Sequence, residues 1–268
     1  MTIHLRLETP EDHHAVETLT REAFWGPWNW TPTCDEHYLV HLLRSSPSFV
    51  AELDYVAEAD GRLVGNILYT RAKIIAPGGG ESEILTFGPL SVLPAYWGKG
   101  VGSALMRHTI AEARRLGHRT IAVYGHPDYY PRFGFRPAEA FGITTPDGES
   151  FDALMAMPLY DGALSGLSGA FHEDNAFTID AKAAKAYDRG FPSKEPAVLF
   201  PIEPLLDMLE PAARKAFVDR GIETLSWLTR LSGREIAAWE GIDRQAMESI
   251  NRELVLHGFA GKRFPSSC

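Results

Sequence analysis

A short glycine-rich stretch constrains this chain more than any other part of its sequence. Residues 90–105 read Leu-Ser-Val-Leu-Pro-Ala-Tyr-Trp-Gly-Lys-Gly-Val-Gly-Ser-Ala-Leu, so that an apolar strand ends at Pro94 and a helix is predicted from Val101. A loop of this kind points backbone N–H groups into one concavity at the positive end of a helix, which suits a pyrophosphate. We predict that a β-carbon at Gly100 or Gly102 would occupy the space that phosphate oxygens need.

The spacing of these glycines excludes two other phosphate-binding loops. A P-loop needs Gly-Lys followed by Ser or Thr, whereas Gly98-Lys99 is followed by Gly100. A dinucleotide fingerprint needs a third glycine at the position that Ser103 occupies. Glycine-rich turns between a strand and a helix also occur without any ligand. The loop alone therefore leaves a coenzyme role and a structural role open.

The stretch resembles the acetyl-CoA signature of the GNAT superfamily, in which Val-x-Pro precedes a Gln/Arg-x-x-Gly-x-Gly/Ala turn. Val92, Pro94, Gly100 and Gly102 fall on the family positions, and Trp97 replaces the Gln or Arg. The resemblance covers roughly residues 2–164 and is greatest to the bacterial "predicted N-acetyltransferase" branch. It implies an α/β (α+β) fold, with a mixed, mostly antiparallel sheet flanked by helices.

The resemblance also implies acetyl-CoA as co-substrate and no metal. Most of the coenzyme grip is expected from backbone amides, so binding should survive the change at Trp97 with some change in affinity. The predicted coenzyme-binding residues are Leu90, Ser91, Val92, Trp97, Gly98, Lys99, Gly100, Val101, Gly102 and Ser103.

Acetyl transfer to an amine needs a neutral amine, a stabilised oxyanion and a proton for the departing thiolate. Residues 125–135 resemble the second landmark of the family, a Tyr four residues before Gly-Phe, which selects Tyr130 as the proton donor. A phenol with a pKa of about 10 is a reasonable donor to a thiolate whose conjugate acid titrates near 8.5. The alternative is a packing role beside Phe133 and Phe135, which the adjacent Tyr129 could fill equally well.

The general base has several candidates. His126 lies four residues before Tyr130 and could accept a proton directly or through water. Glu36 and His37 stand at the start of a predicted second helix, where the family often forms its acceptor site. Glu83, on the strand that leads to the signature, is a further option.

Aromatic residues are dense in residues 24–30, which read Phe-Trp-Gly-Pro-Trp-Asn-Trp. With Asp35 and Glu36 nearby, Phe24 and Trp25 would suit a cationic amine through cation–π contact and charge pairing. The alternative is that these rings cover the sheet or form a dimer contact.

The order of predicted elements divides the chain into residues 1–164, a connector at 165–201 and a small helical domain at 202–268. Strands are expected at 3–8, 49–58, 63–75, 84–92 and 120–124, and helices at 101–116 and 204–219. Asp-Gly pairs predict hairpins at 59–62 and at 146–148, the second joining strands at 141–145 and 151–159. The connector is expected to contain one short helix at 181–188.

Local signals also mark the ends of the last helices. Ser232-Gly-Arg-Glu235 matches a capping box, Asp243 can cap a final helix, and Gly258 is the predicted stop of that helix.

Residues 202–259 resemble the C-terminal domain of RNA polymerase alpha subunits, which contains a helix-hairpin-helix-like element. The turn reads Gly241-Ile-Asp-Arg, and the Asp at its third position would repel a phosphate. From Pro201 onward there are nine Lys or Arg and ten Asp or Glu, a net charge of −1. We therefore do not expect nucleic-acid binding, and predict a structural role, a homodimer contact or a protein partner for this region.

Composition sets the remaining limits. The formal net charge is −9, which argues against general binding to nucleic acid or anionic membranes. The chain shows no secretory signal and no run of about 18 apolar residues, and its two cysteines lie far apart. We expect a cytoplasmic protein. Two functions remain open: an N-acetyltransferase acting on an unknown amine, and an acyl-CoA-binding regulatory module.

Overall fold

The computed structural model describes residues 1–26, 33–196, 199–257 and 259 of the chain. Its centre is one sheet of nine strands in the order β1-β2-β3-β4-β5-β8-β6, with β9 pairing both β3 and β7. The pairs β4–β5 and β7–β9 are parallel and the others are antiparallel. The strands are β1 His4–Leu7, β2 Tyr55–Ala59, β3 Arg62–Ile75, β4 Glu81–Val92, β5 Thr120–Tyr124, β6 Arg136–Pro137, β7 Ile143–Thr144, β8 Leu154–Pro158 and β9 Gly169–His172.

Helices cover both faces of this sheet. On one face, α3 (Val101–Arg115) buries Leu105 and Met106 against the apolar side chains of β3, β4 and β5. On the other face, α1 (His13–Phe24) and α2 (Glu36–Arg44) bury apolar residues against β2 and β3. The mixed sheet flanked by helices that the sequence predicted is confirmed.

Elements with strong local signals lie where they were predicted. The hairpin between β2 and β3 turns at Asp60 and Gly61, whose φ angles of 53° and 77° are those that an Asp-Gly turn favours. The strand at 120–124 and the helix at 101–116 are also confirmed. The strand predicted from residue 49 begins only at Tyr55, because Ala51–Leu53 forms a 3₁₀ turn.

The hairpin predicted at 146–148 is wrong. Both flanking segments contain strands, but β7 pairs with β9, whereas β8 pairs with β5 and β6. The turn is formed all the same, since the Gly148 amide donates to the Thr145 carbonyl over 3.0 Å. The strands separate after it because β8 is held along its whole length by β5.

The predicted connector contributes to the sheet. β9 lies within residues 165–201 and pairs with Lys73–Ile75 at the far end of β3, beyond the part of β3 that β2 covers. The short helix predicted at 181–188 is confirmed as α4, Ala181–Asp188. The division of the chain into three parts stays a prediction.

In the described part of the chain after α4, the α-helices are α5 Glu203–Leu206, α6 Pro211–Val218, α7 Gly233–Ala237 and α8 Arg244–Leu256. The single helix predicted at 204–219 is wrong, because Glu210 adopts an extended conformation and Pro211 starts a new helix. These helices share an apolar core of their own, which includes Phe217, Ile250 and Leu254.

The predicted caps of the last two helices are confirmed. Ser232 and Glu235 form a capping box at α7, and the Asp243 carboxylate accepts from the Ala246 amide over 2.8 Å at α8. The predicted stop at Gly258 lies outside the described residues, as does Cys268. No helix among the described residues is long and apolar enough to cross a membrane. The cytoplasmic location stays a prediction.

Candidate active site

The sheet opens where β4 and β5 diverge. The two strands pair at one register position, Leu85 with Ile121. Beyond that point β4 continues along β3 with a bulge, so that Ile67 faces Leu90 while Tyr69 faces Phe87. The last residues of β4 therefore have a strand partner on the β3 side and face an opening on the other.

A cleft of about 700 Å³ lies at this opening, which is within the roughly 300–1,000 Å³ usual for small-molecule sites. It brings together the end of β4, the signature loop, the start of α3, the segment that follows β5, and the facing ends of α1 and α2. Its lining residues are Ala23, Phe24, Glu36, Leu90, Val92, Tyr96, Trp97, Gly98, Gly100, Val101, Gly102, Ser103, His126, Tyr129, Tyr130 and Arg132.

The signature loop presents open backbone to the cleft. Gly98 and Gly100 have φ angles of 71° and 87°, a region that favours glycine, and a β-carbon on either would meet no atom within 4 Å. Gly100 is the residue before α3, so the free amides of the first helical turn begin at Val101. The loop thus offers space and donors at the positive end of a 15-residue helix.

Gly102 lines the cleft close to a tyrosine. A β-carbon at this position would lie 2.8 Å from the hydroxyl of Tyr129, so the missing side chain makes room for that hydroxyl, and contact of Gly102 with the coenzyme stays a prediction. The Tyr129 hydroxyl also hydrogen-bonds Ser103, and burial raises the pKa of Tyr129. Tyr129 is therefore more than a packing residue, because its hydroxyl reaches the first turn of α3.

Trp97 connects the signature loop to the end of β4 by a hydrogen bond. Its indole N–H donates to the Val92 carbonyl over 2.7 Å, and its ring lines the cleft with 42% of the side chain exposed. The aromatic residue that replaces the Gln or Arg of the signature thus fixes the end of β4 and leaves an aromatic surface in the cleft.

Two of the predicted coenzyme-binding side chains do not line the cleft. Ser91 is buried on the opposite side of β4, where its hydroxyl lies 2.9 Å from that of Thr20 on α1. The Lys99 ammonium lies 5.1 Å from the centre of the Tyr96 ring. Ser91 points away because side chains alternate along a strand, and Leu90 and Val92 occupy the cleft side.

Tyr130 lines the cleft with its ring firmly held. The ring packs against Phe87 and Phe135, each with centroids 5.6 Å away, and a β-carbon on Gly125 would overlap it. Its hydroxyl has no hydrogen-bond partner among the described residues. Burial raises the pKa of Tyr130 well above its ordinary value, so the phenol stays protonated.

His126 lies in the same cleft, where its Nδ1 takes part in a hydrogen bond. Its Nδ1 accepts a hydrogen bond from the Asp128 amide over 3.2 Å. In a neutral ring the proton is then on Nε2. His126 would therefore have to change tautomer before Nε2 could accept a proton from a substrate. Its catalytic role stays a prediction.

Two of the residues predicted to bind the acceptor, Phe24 at the end of α1 and Glu36 at the start of α2, line one side of the cleft. Glu36 Oε2 accepts from the Asp35 amide over 3.1 Å, and burial raises the pKa of Glu36. Trp25 does not line the cleft, since its indole N–H donates to the Glu195 carbonyl over 3.0 Å. Trp28 and Trp30 of the predicted aromatic segment lie outside the described residues.

His37 does not line the cleft. His37 Nδ1 lies 3.6 Å from Cys34 Sγ, and Nε2 lies 3.1 Å from Asp188 Oδ1. A thiol beside a histidine that is oriented by a carboxylate is also the arrangement that activates cysteine nucleophiles. Both Cys34 and His37 are buried, however, and burial raises the pKa of Cys34 so that it remains a thiol. Burial also lowers the pKa of His37 to about 4.

Glu83, the remaining candidate for the base, is also outside the cleft. Its exposed side chain pairs with Arg71 on β3 over 3.8 Å.

Arg132 is a cleft residue that the sequence analysis missed. Its guanidinium lies 4.6 Å from the centre of the Tyr129 ring and donates to the Asp128 carbonyl over 3.3 Å. It is the one Lys or Arg among the described lining residues. The sequence contained an indication of this role, because Arg132 lies within the second family landmark, between Tyr130 and Gly134. No group of three or more His, Cys, Asp or Glu among the described residues is arranged to hold a metal ion.

Part of this chain is similar to known acetyltransferases. Residues 51–137 match the family model for the acetyltransferase (GNAT) domain. The uncharacterized N-acetyltransferase YjhQ of Escherichia coli K12 is 41% identical over 100 residues, which are 37% of this chain and 54% of that protein. The chain thus spans about half the length of this curated relative.

Two solved structures share the fold. The GNAT family N-acetyltransferase YhbS from Escherichia coli, in complex with CoA, has a TM-score of 0.58 and 25% identity over 66% of this chain and 92% of that chain. A GNAT family acetyltransferase from Brucella melitensis, in complex with acetyl-CoA, has a TM-score of 0.52 and 29% identity over 66% of this chain and 98% of that chain. The fold is therefore GNAT-like, with additional C-terminal helices. The predicted resemblance of those helices to RNA polymerase alpha is not supported.

Proposed function

We propose that this chain, which carries a GNAT acetyltransferase domain, is an acetyl-CoA-dependent N-acetyltransferase. The observation that supports this best is one cleft, at the divergence of β4 and β5, that contains both the glycine-rich start of α3 and Tyr130. The two similar solved structures, which are complexes with CoA and with acetyl-CoA, support the choice of co-substrate.

The residues present fit an acyl-CoA at this site. The open space at Gly98 and Gly100, together with the free amides at the start of α3, suits a diphosphate. Arg132 adds a cation on this side of the cleft, since its guanidinium lies over the ring of Tyr129, whose hydroxyl is next to Gly102 of α3. Trp97 and Val92 supply an apolar wall along the end of β4. When bound, acetyl-CoA supplies the activated acetyl group.

Two groups of this chain would stabilise the charges that the reaction develops. The unpaired edge of β4 near Leu90 offers backbone amides to an oxyanion. The Tyr130 hydroxyl would donate its proton to the leaving sulfur, since the residue lines the cleft and a phenol is protonated at neutral pH.

The acceptor would enter between α1 and α2, where Phe24 and Glu36 line the cleft. A carboxylate beside an aromatic ring suits a cationic amine. The raised pKa of Glu36 also makes it a stronger base than an ordinary carboxylate, so we assign it the removal of the ammonium proton. The acceptor is thus an amine, on a small molecule or on a protein side chain or terminus.

Incubation with radiolabelled acetyl-CoA and a panel of diamines, amino acids and lysine peptides tests this function. We expect the label to pass to at least one cationic amine, and Glu36→Gln to reduce that transfer by about 10²-fold. Coenzyme binding without transfer to any amine would instead support an acyl-CoA-binding regulatory module. The replacement of the signature Gln or Arg by Trp97 is the observation that favours that alternative.

The C-terminal helices are expected not to bind DNA with submicromolar affinity at physiological salt. The turn between α7 and α8 is packed inward, since a β-carbon at Gly241 would lie 2.6 Å from the carbonyl carbon of Ala212 on α6. Asp243 follows in the same turn and caps α8 with its carboxylate. A fluorescence anisotropy titration of the full chain with duplex DNA checks this, and a submicromolar, salt-dependent affinity would contradict it.

A further inference from the structure

The end of α4 is tied to both helices that form the acceptor side of the cleft. Asp188 receives two hydrogen bonds from the Arg21 guanidinium on α1, at 2.6 and 3.1 Å. The same carboxylate lies 3.1 Å from His37 Nε2 on α2. Arg21 is only 3% exposed and His37 is fully buried, while the Asp188 side chain is 27% exposed, so this junction of three helices lies largely inside the protein.

The chain just after α4 makes further contacts with the end of α1. The Glu195 carbonyl accepts from the Trp25 indole N–H over 3.0 Å. The Lys194 ammonium lies 2.7 Å from the Glu22 carboxylate. Residues 187–195, called the clasp from here on, therefore follow α1 to its last turn.

Aromatic rings of the clasp pack into the groove between α1 and α2. The Phe191 ring stacks on His14 of α1, with centroids 5.2 Å apart, and meets His37 of α2 edge-on at 5.0 Å. Tyr187 contacts His41 and Tyr38 on α2, at 4.7 and 5.0 Å. The clasp thus contacts both helices through rings as well as through charges.

These contacts fall next to the two acceptor-side residues of the cleft. Trp25 directly follows Phe24, and His37 directly follows Glu36. Phe24 and Glu36 line the cleft from different helices, so their separation depends on what holds α1 and α2 together. Since the Arg21 charge is buried, losing its carboxylate partner would leave an uncompensated cation at this junction.

We propose that the clasp fixes the acceptor side of the cleft, and that Asp188 is a positioning residue for the acceptor amine. This inference rests on the proposed acetyltransferase function. In this proposal the clasp influences which acceptor the site selects. Coenzyme binding at the start of α3 does not depend on the clasp.

Kinetics of Asp188→Asn test the proposal, with Asp188→Glu as the conservative variant. We expect Asp188→Asn to raise the KM for the best acceptor of the panel by about tenfold or more, because small displacements of positioning groups have large effects. The kcat should fall as well, because Glu36, to which proton removal is assigned, is displaced together with the start of α2, whereas the Kd for acetyl-CoA should change less than threefold. Asp188→Glu should recover most of the acceptor KM, and Asp207→Asn, which removes the exposed partner of Arg214, should change nothing.

Hydrogen exchange measured by mass spectrometry gives a readout that does not require turnover. We expect Asp188→Asn to increase exchange at the end of α1 and the start of α2, and to leave residues 93–105 unchanged. Trp25→Phe keeps an aromatic ring beside Arg21 and loses the hydrogen bond to Glu195 together with part of the ring surface, so it should show a smaller increase at the end of α1, even if Asp188→Asn folds poorly.

Three results would overturn the proposal. Unchanged exchange in α1 and α2 in both variants would show that the clasp does not hold them. Increased exchange with an unchanged acceptor KM would show that the clasp does not position the amine. Equal losses of acceptor and coenzyme affinity would show a general structural role. If the wild-type protein acetylates no amine, the proposed function fails, and the exchange data alone decide whether the clasp holds this side of the cleft.

Discussion

Replacing Gly100 by glutamate is expected to abolish measurable binding of acetyl-CoA, a loss of at least about 100-fold in affinity. Gly100 has a φ of 87°, and a β-carbon there would project into open cleft space with no atom within 4 Å. A glutamate side chain would fill that space and add a negative charge at the amides that suit a diphosphate. The left-handed backbone conformation adds a strain of about 1–2 kcal/mol. Isothermal titration calorimetry with acetyl-CoA and with CoA measures the loss.

A matched control separates the loss of the site from strain in the chain. Gly148 has a φ of 82° and also has no atom within 4 Å of a β-carbon, but it lies in the turn after β7, outside the cleft. Gly148→Glu should therefore carry the same strain and bind acetyl-CoA normally. Arg132→Gln should have an intermediate effect, a several-fold loss that diminishes at high salt. A folded Gly100→Glu variant with unchanged affinity would remove the coenzyme assignment.

The parts of this fold that the sequence predicted are those with local causes. The turn at Asp60 and Gly61 needs positive φ angles, which these two residue types tolerate. The caps at Ser232 and Asp243 depend on side chains and amides within three residues of each other. The glycine-rich loop before α3 also has a local cause, since its exposed backbone follows from the absence of side chains at Gly98 and Gly100.

The parts that were missed depend on contacts distant in sequence. Nothing near residues 143–158 indicates that β8 pairs with β5 while β7 pairs with β9. The role of Gly102 depended on where the Tyr129 hydroxyl lies, and that hydroxyl comes from a different segment. The contacts of the clasp were missed for the same reason, because Asp188 accepts hydrogen bonds from Arg21, which lies 167 positions earlier in the chain. A sequence pattern identifies residues able to form such pairs, and only the packed structure selects the partner.

Tyr130→Phe is expected to lower kcat by about 10²–10⁴-fold, the usual range for the loss of a general acid, while the Kd for acetyl-CoA changes only a few-fold. The substitution keeps the ring that packs against Phe87, Phe135 and Gly125, so the cleft should retain its shape. What is lost is the hydroxyl, which has no hydrogen-bond partner among the described residues. Steady-state kinetics with the acceptor found by screening would separate the two effects.

Tyr129→Phe provides the contrast within the same aromatic pair. The Tyr129 hydroxyl hydrogen-bonds Ser103 at the start of α3, so its loss should affect coenzyme affinity by a few-fold and kcat much less. The pH dependence adds a further check. Burial raises the pKa of Tyr130, so its phenol remains protonated above the ordinary value of about 10, and wild-type kcat should not fall through Tyr130 ionisation below about pH 10. If Tyr130→Phe keeps a near-wild-type kcat, Tyr130 is a packing residue and the leaving sulfur takes its proton from another donor, such as water or His126.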